Sequence, residues 1–504
     1  MMRDVHGPEK APFDASGVAE QLRAIARSKP GPSTAAIFDF DGTLIQGYSA
    51  GALYKHRFSK REIGLAEIAH TARLLSGPTM SQDQFDDLLG RGIRAWTGRP
   101  VEEIDELGEE LFRTAVAGQL FHDMWRVVKA HQAHGHTVLI ATSATRFQVA
   151  PLARELGIEH VLCTELEAVD GRLTGRIAGE SLWGPGKLAA IEAFAASRDL
   201  LLADAFGYAN GDEDVPFLTH VGRPCAVDPQ PILADRASGE GWSAVYLPHR
   251  SGRINPGGIA RTAGIYGSIV GAGVVGTVLG VATGSRRRGV DLATTLLAEV
   301  GTAVADIDVE VINEDNLWKH RPAVFIINHQ SSLIDLLVTT RLLRGGFTAV
   351  AKAEAADVPV IGPLLKLADF AFLERSDSQK ARAALGQAVE RLAAGVSIVI
   401  SPEGTRSLTP RIGRFKKGAF HLAMDAGVPI VPIVIRNSGE LMWRNAKTVQ
   451  PGTVQAFVHE PILTTGWVKR DLDRAVVEVE DLYRRTLAEW PSKGMPTQAS
   501  DLEE

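Results

Sequence analysis

Residues 262–285 are 24 consecutive positions without a formal charge. As a helix they would be about 36 Å long, enough to cross the hydrocarbon of a bilayer. Any fold must bury this stretch, pair it, or lay it against lipid. Gly264, Ser268, Ala272, Gly276, Gly280 and Gly284 recur at four-residue spacing and form one small-residue stripe. Such a stripe admits a second helix at close range, and one use would be a homodimer. Arg250, Arg253 and Arg261 precede the stretch and Arg286, Arg287 and Arg288 follow it, so the positive-inside rule selects no orientation. A single crossing would put the two halves of the chain on opposite sides of the membrane. A hairpin with residues 290–305, whose Asp291 and Glu299 suit an interface, keeps them on one side. The expectation is a membrane-associated helix pair over 262–305, held as a hairpin or monotopically. A glycine linker or a buried soluble helix is the competing reading.

The blocks on either side are α/β in pattern, and 504 residues suffice for two to four domains. A net charge of −6 excludes nucleic-acid binding through bulk charge. Two cysteines, Cys163 and Cys225, build neither a disulfide framework nor a cysteine-rich zinc site, and they suit a reducing compartment. The polar start does not resemble a secretory signal. Residues 1–33 read as a flexible lead-in with one short helix near 17–28. Residues 34–247 follow, with strands expected at 35–40, 137–142, 160–162 and 200–203. A helical cap is expected to be inserted at about 49–134. Residues 248–261 read as a linker, 306–490 as a second α/β domain and 491–504 as a tail.

The first strand delivers Asp39, Asp41, Gly42 and Thr43. Acids two apart share a face of a strand, and the C-terminal end of a parallel strand opens on the ligand crevice. One carboxylate can attack phosphorus, and the other can protonate the leaving oxygen and then activate water. The pattern resembles the haloacid dehalogenase-like phosphatases, specifically their phosphoserine-phosphatase-like branch. The resemblance implies a Rossmann-like fold with a helical cap, Thr142 and Lys187 binding the phosphoryl group, and Mg²⁺ held by Asp39, Asp41, Asn210 and Asp214. Asn210 stands where that family usually has an acid, so Mg²⁺ is expected to bind more weakly; Asp212 is a candidate substitute.

The second block carries Asn328-His329-Gln330-Ser331 after an apolar strand, then Pro402-Glu403-Gly404-Thr405-Arg406-Ser407 and Phe415-Lys416-Lys417-Gly418. A strand-end histidine can act as general base on a hydroxyl, with a carboxylate fixing its tautomer. Arg406 and Lys416, with Lys417 a further candidate, suit a phosphate monoester. The combination resembles the glycerolipid acyltransferases, in particular bacterial 1-acylglycerol-3-phosphate acyltransferases. That resemblance implies acyl transfer from acyl-CoA or acyl carrier protein to the 2-hydroxyl of lysophosphatidic acid, giving phosphatidic acid. His329 and Asp335 would be catalytic, and Glu403, Gly404, Thr405, Arg406, Arg375 and Lys416 would bind substrate. Lys352 and Glu354 match the start of the block that holds Arg375. Two departures stand out. Five residues separate His329 from Asp335 where the family has four, and Asp369 replaces an expected glycine. One extra helical residue rotates a side chain by about 100°, so either a loop bulge absorbs it or Asp335 is not the orienting acid. The helix is expected to begin near Ser332, which favours the bulge.

The leading expectation is a membrane-associated acyltransferase with a fused Mg²⁺-dependent phosphatase-like domain, at the cytoplasmic face of the inner (plasma) membrane. The alternatives are a phosphomonoester phosphatase with a lipid-binding anchor, or a scaffold with vestigial sites.

Overall fold

The computed structural model describes residues 17–64, 82–247, 256–357, 361–368, 370–373 and 378–490. The tail, most of the expected linker, Asp369 and Arg375 lie outside the described residues. The chain divides into two compact units, Met1–Arg250 and Ser251–Glu504.

In the first unit, β1 (Ala35–Phe38), β2 (Thr137–Thr145), β3 (His160–Thr164), β6 (Phe206–Ala209), β7 (Arg223–Val227) and β8 (Ser243–Val245) form a parallel sheet in the order β3-β2-β1-β6-β7-β8. The centre of this sheet is buried on both faces, so β1 reads Ala-Ala-Ile-Phe with no polar alternation. The strand expected at 200–203 is instead an irregular segment, with Leu200 buried and Leu201 exposed, that runs into a single 3-10 turn, Leu202–Asp204. Phe206–Ala209 takes its place beside β1, because it can bury all four residues.

The segment read as a loose lead-in contains the helix Val18–Arg27, which buries Val18, Gln21 and Ile25. It packs on the helix His122–Ala133, the last part of the expected insert. His131 of that helix meets Phe38, Phe206 and Tyr208, so it belongs to the sheet's covering layer rather than to a cap. The helices Gln82–Arg94 and Val101–Thr114 do form a separate cluster. Ile93, Trp96, Ile104 and Leu111 pack there with Phe147 and with Leu173 of the hairpin β4 (Leu166–Val169) and β5 (Arg172–Ile177).

The second unit holds β9 (Ile307–Ile312), β10 (Val324–Ile327), β11 (Phe347–Lys352), β12 (Ala371–Leu373), β13 (Ser397–Ile400), β14 (Ile430–Arg436) and β15 (Gly452–Val458). Their order is β12-β11-β13-β10-β14-β15-β9, and β14–β15 is the one antiparallel pair of this sheet. Central β10 ends directly before Asn328-His329, and neighbouring β13 ends before the Pro402-Glu403 turn.

The uncharged stretch belongs to the helix Pro256–Thr283, which turns back at Gly284 into Arg286–Ala305. The stripe faces that second helix. A Cβ on Gly276 would lie 2.4 Å from the Gly289 carbonyl oxygen, and one on Gly289 would lie 2.3 Å from the Gly276 oxygen. A Cβ on Gly264 would instead meet the Val304 side chain, at 2.2 Å. The small residues are therefore used within one chain, which removes the basis for a homodimer through this stripe. Adding a methyl at both crossing points should cost about 1–3 kcal/mol by overpacking. Gly276→Ala with Gly289→Ala should accordingly lower thermal stability in detergent without changing the particle mass; an unaltered melting temperature would contradict this crossing.

Candidate functional site

The first site forms where β1 ends. Lys187, 2% exposed, donates to Asp39 Oδ1 at 2.9 Å and to Asp214 Oδ1 at 2.5 Å. Burial alone would lower the lysine's pKa, but Asp214 and Asp39 outweigh it and raise it. Burial raises the Asp214 carboxyl, with Lys187 opposing. Thr43 Oγ1 lies 3.3 Å from both Asp39 Oδ2 and Asn210 Oδ1, so these two oxygens converge on one side. Gly42 has φ +79°, and a Cβ there would sit 2.2 Å from the Asn210 amide. Glycine is thus required twice over, by dihedral and by contact.

Asp41 accepts from the Ser49 N–H at 2.7 Å and from its hydroxyl at 3.1 Å, and Gln148 in turn donates to Ser49 Oγ. Burial, with Asp39 adding to it, pushes the Asp41 carboxyl up to about 7 against the Ser49 bonds. Thr142 sits where the pairing of β2 with β3 shifts register; its oxygen accepts from the Ala144 N–H at 3.1 Å. Asp212 does not join this group, because its Oδ1 accepts from Leu233 N–H at the start of the helix Pro231–Glu240. Ser49 and Gln148 carried no signal in the sequence; Thr43 lay inside the first motif.

For Mg²⁺ the donor set is consistent: carboxylate and amide oxygens only, with Asp214 Oδ2 buried and lacking a hydrogen-bond partner. Of the four expected ligands, Asp41 has both carboxylate oxygens engaged by Ser49, which leaves Asp39, Asp214 and the Asn210 amide. Accordingly, no cluster of three His, Cys, Asp or Glu side chains suited to a metal occurs among the described residues.

The second site forms where β10 ends. His329 Nδ1–H donates to Asp335 Oδ2 at 2.8 Å, and the backbone N–H groups of Gln330 and Ser331 donate to the same oxygen at 3.0 Å each. The helix Ser332–Leu343 begins with Ser331 as N-cap, its hydroxyl accepting from Ile334 N–H. The extra residue is absorbed before the helix starts, so Asp335 faces back to His329. The imidazole is 26% exposed and Asp335 3%, leaving Nε2 as the accessible nitrogen.

Glu403 departs from its expected role as a ligand to substrate. It is 6% exposed, and its oxygens accept from His329 N–H (3.1 Å), Ser407 Oγ (2.5 Å) and Gly413 N–H (3.4 Å). It joins the two strand-end loops, aided by Ser407 N–H to His329 O at 2.7 Å. Gly404, with φ +73°, makes the turn and Thr405 is exposed. Arg406 is half-buried, and its pKa is lowered by burial and then by Arg444. Lys416 is exposed, while Lys417 pairs with Asp473 at 2.6 Å. Lys352 ends β11, and Glu354 lies in the turn Ala353–Asp357.

Burial pushes the Glu403 carboxyl up to about 7, although Ser407, His329 and Gly413 donate to it. Between about 4.5 and about 7 the folded chain therefore binds a proton that the unfolded chain has released, so stability falls as pH rises through that window, by at most about 3 kcal/mol. Glu403→Gln removes this dependence. Thermal melts from pH 5 to 7 should show the wild type losing ground to the variant; parallel curves would refute the assignment.

Residues 36–219 match the haloacid dehalogenase-like hydrolase family, and residues 308–436 match the acyltransferase family. A phosphoserine phosphatase of Mycobacterium tuberculosis is 33% identical over 42% of this chain and 70% of its own length. A 1-acyl-sn-glycerol-3-phosphate acyltransferase of Saccharomyces cerevisiae is 32% identical over 43% of this chain and 72% of its own. A solved 1-acyl-sn-glycerophosphate acyltransferase of Thermotoga maritima is 25% identical, covering 47% of this chain and 98% of that one, with a TM-score of 0.40. The chain therefore belongs to both families, a haloacid dehalogenase-like hydrolase domain fused to a C-terminal acyltransferase domain.

Proposed function

We propose that the second unit transfers an acyl chain from acyl-CoA or acyl carrier protein to the 2-hydroxyl of 1-acylglycerol-3-phosphate, forming phosphatidic acid. The reading rests on one observation: the bond from His329 Nδ1–H to buried Asp335, which fixes the tautomer and leaves Nε2 as base. Nε2 takes the proton of the 2-hydroxyl as its oxygen attacks the thioester carbonyl. Asp335 stabilises the imidazolium, which then returns the proton to the departing thiolate. Arg406 and Lys416 are assigned to the acceptor's phosphate, as is Arg375 from the resemblance. The likeness to the yeast 1-acyl-sn-glycerol-3-phosphate acyltransferase supports the same substrate class. Removing a positioned general base costs roughly 10²–10⁴ in rate. His329→Ala should thus lower phosphatidate formation by about that factor with folding unchanged. Near-wild-type turnover would discard the mechanism.

The helix hairpin is assigned to a lipid surface, where acyl donor and lysolipid both partition. Tyr266, Val270, Val274, Val278 and Val281 are all exposed along the first helix, and that helix is long and apolar enough to cross a membrane. The cytoplasmic face of the inner membrane follows from the same reading.

The first unit is assigned to phosphomonoester hydrolysis. Asp39 would be the nucleophile, Asp41 the proton carrier, and Thr142 and Lys187 the phosphoryl ligands. Asp39, Asp214 and Asn210 would hold Mg²⁺, which when bound would neutralise the charge of phosphoryl transfer. Asn210 withholds one negative charge from that set. Asn210→Asp should tighten Mg²⁺ binding measured by calorimetry, and Asp39→Asn should abolish Mg²⁺-dependent phosphate release. Weaker binding in the first variant, or hydrolysis surviving in the second, would overturn the assignment.

A further inference from the structure

Arg444, in the segment after β14, carries no motif and was not singled out by its sequence. It lies directly against Arg406. Arg406 Nη1 donates to the Arg444 carbonyl at 2.8 Å, and Arg444 Nη1 donates to the Arg406 carbonyl at 3.0 Å. The neighbouring Trp443 indole N–H donates to Leu408 O at 2.9 Å, so three bonds hold this segment to residues 406–408.

Two half-buried guanidiniums are thus held side by side. Among the described residues neither forms an ion pair with a carboxylate. Each spends one N–H on the other's backbone, and Arg444 Nε is buried without a hydrogen-bond partner. Like charges so placed repel, and their desolvated N–H groups go unsatisfied unless an anion completes the site. Asp335 is near enough to act on Arg406; its Oδ2 is committed to His329, Gln330 and Ser331, and its Oδ1 is buried without a hydrogen-bond partner and makes no ion pair with either arginine. A dianion with several acceptor oxygens matches the donors that remain.

Building on the acyl-transfer reading, we propose that Arg444 pairs with Arg406 to form a two-arginine clamp for a phosphate monoester, and that Arg444 is a specificity-determining residue. Lysophosphatidic acid carries such a group on the acceptor and coenzyme A carries one on the donor. The same loop brings the clamp beside His329, because Ser407 N–H donates to His329 O. The clamp therefore sets the register of the bound molecule against the base.

The test uses the full chain in detergent, as wild type, Arg444→Ala and Arg444→Lys. KM and kcat are measured separately for lysophosphatidic acid and acyl-CoA, with melting temperatures alongside. Calorimetry with glycerol 3-phosphate probes the clamp without turnover. Loss of a charged hydrogen-bond donor predicts a KM about ten- to hundredfold higher for one substrate, with kcat and melting temperature little changed. Arg444→Lys should recover only part of it, because an ammonium lacks the planar fork. A rise confined to lysophosphatidic acid places the acceptor in the clamp, and one confined to acyl-CoA places the donor there. Unchanged KM values for both, or losses that track melting temperature and return fully with lysine, overturn the proposal. Phosphatidate formation with glycerol 3-phosphate binding indifferent to Arg444 would sink the clamp and leave acyl transfer standing. Arg444-dependent binding without phosphatidate formation would do the reverse.

Discussion

One oxygen, Oδ2 of Asp335, organises the acyltransferase site. Asp335 lies in the first turn of the helix Ser332–Leu343, and this oxygen accepts from the His329 ring and from the backbone N–H groups of Gln330 and Ser331 just before that helix. A carboxylate in that position is favoured by the helix dipole and by donors that would otherwise be unpaired. The imidazole is the third partner, so ring orientation and helix start are determined together. Glu403 does the corresponding work from the other side, holding the His329 backbone against the Ser401–Ser407 turn. Neither acid needs to touch a substrate for the base to be placed.

The two domains solve related problems with opposite electrostatics. Both sites lie at the C-terminal end of a central parallel strand, β1 or β10, where the adjacent strand ends bring their loops to the same crevice. In the first, one buried ammonium is shared between two carboxylates, so the oxygens left over present a negative surface. In the second, Glu403 and one oxygen of Asp335 are taken up by backbone, hydroxyl and imidazole, and the guanidinium groups of Arg406 and Arg444 lie beside them without a carboxylate partner among the described residues. The first arrangement suits a cation that accompanies phosphate; the second suits phosphate itself.

Much of this was legible because strand-end motifs carry their geometry with them. Asp39-Phe40-Asp41-Gly42-Thr43 and Asn328-His329 follow short apolar strands, and both emerged where those strands end. What was illegible depended on long-range contact. Leu200–Ala203 looks as apolar as Phe206–Ala209, and only packing beside β1 decides which becomes the strand. The spacing from His329 to Asp335 raised a doubt that the Ser331 cap resolves. Glu403 was recognisable by motif, but whether its carboxylate faces a ligand or the backbone depends on how two loops meet. Arg444 lies 38 residues beyond Arg406, and no periodicity connects them.

The glycine stripe illustrates the same limit at the level of a helix. Small residues at four-residue spacing establish that something approaches closely, without identifying it. A partner joined through a short turn is reached at far lower entropic cost than a separate chain. Gly284, with φ +64°, supplies that turn, and Arg286–Ala305 presents Gly289, Ala293 and Gly301 in return. Once the stripe is filled from within, the valines at 270, 274, 278 and 281 are left facing outward. The feature that first suggested association between chains thus fixes which side of the helix remains apolar and open, and that side is the one assigned to lipid.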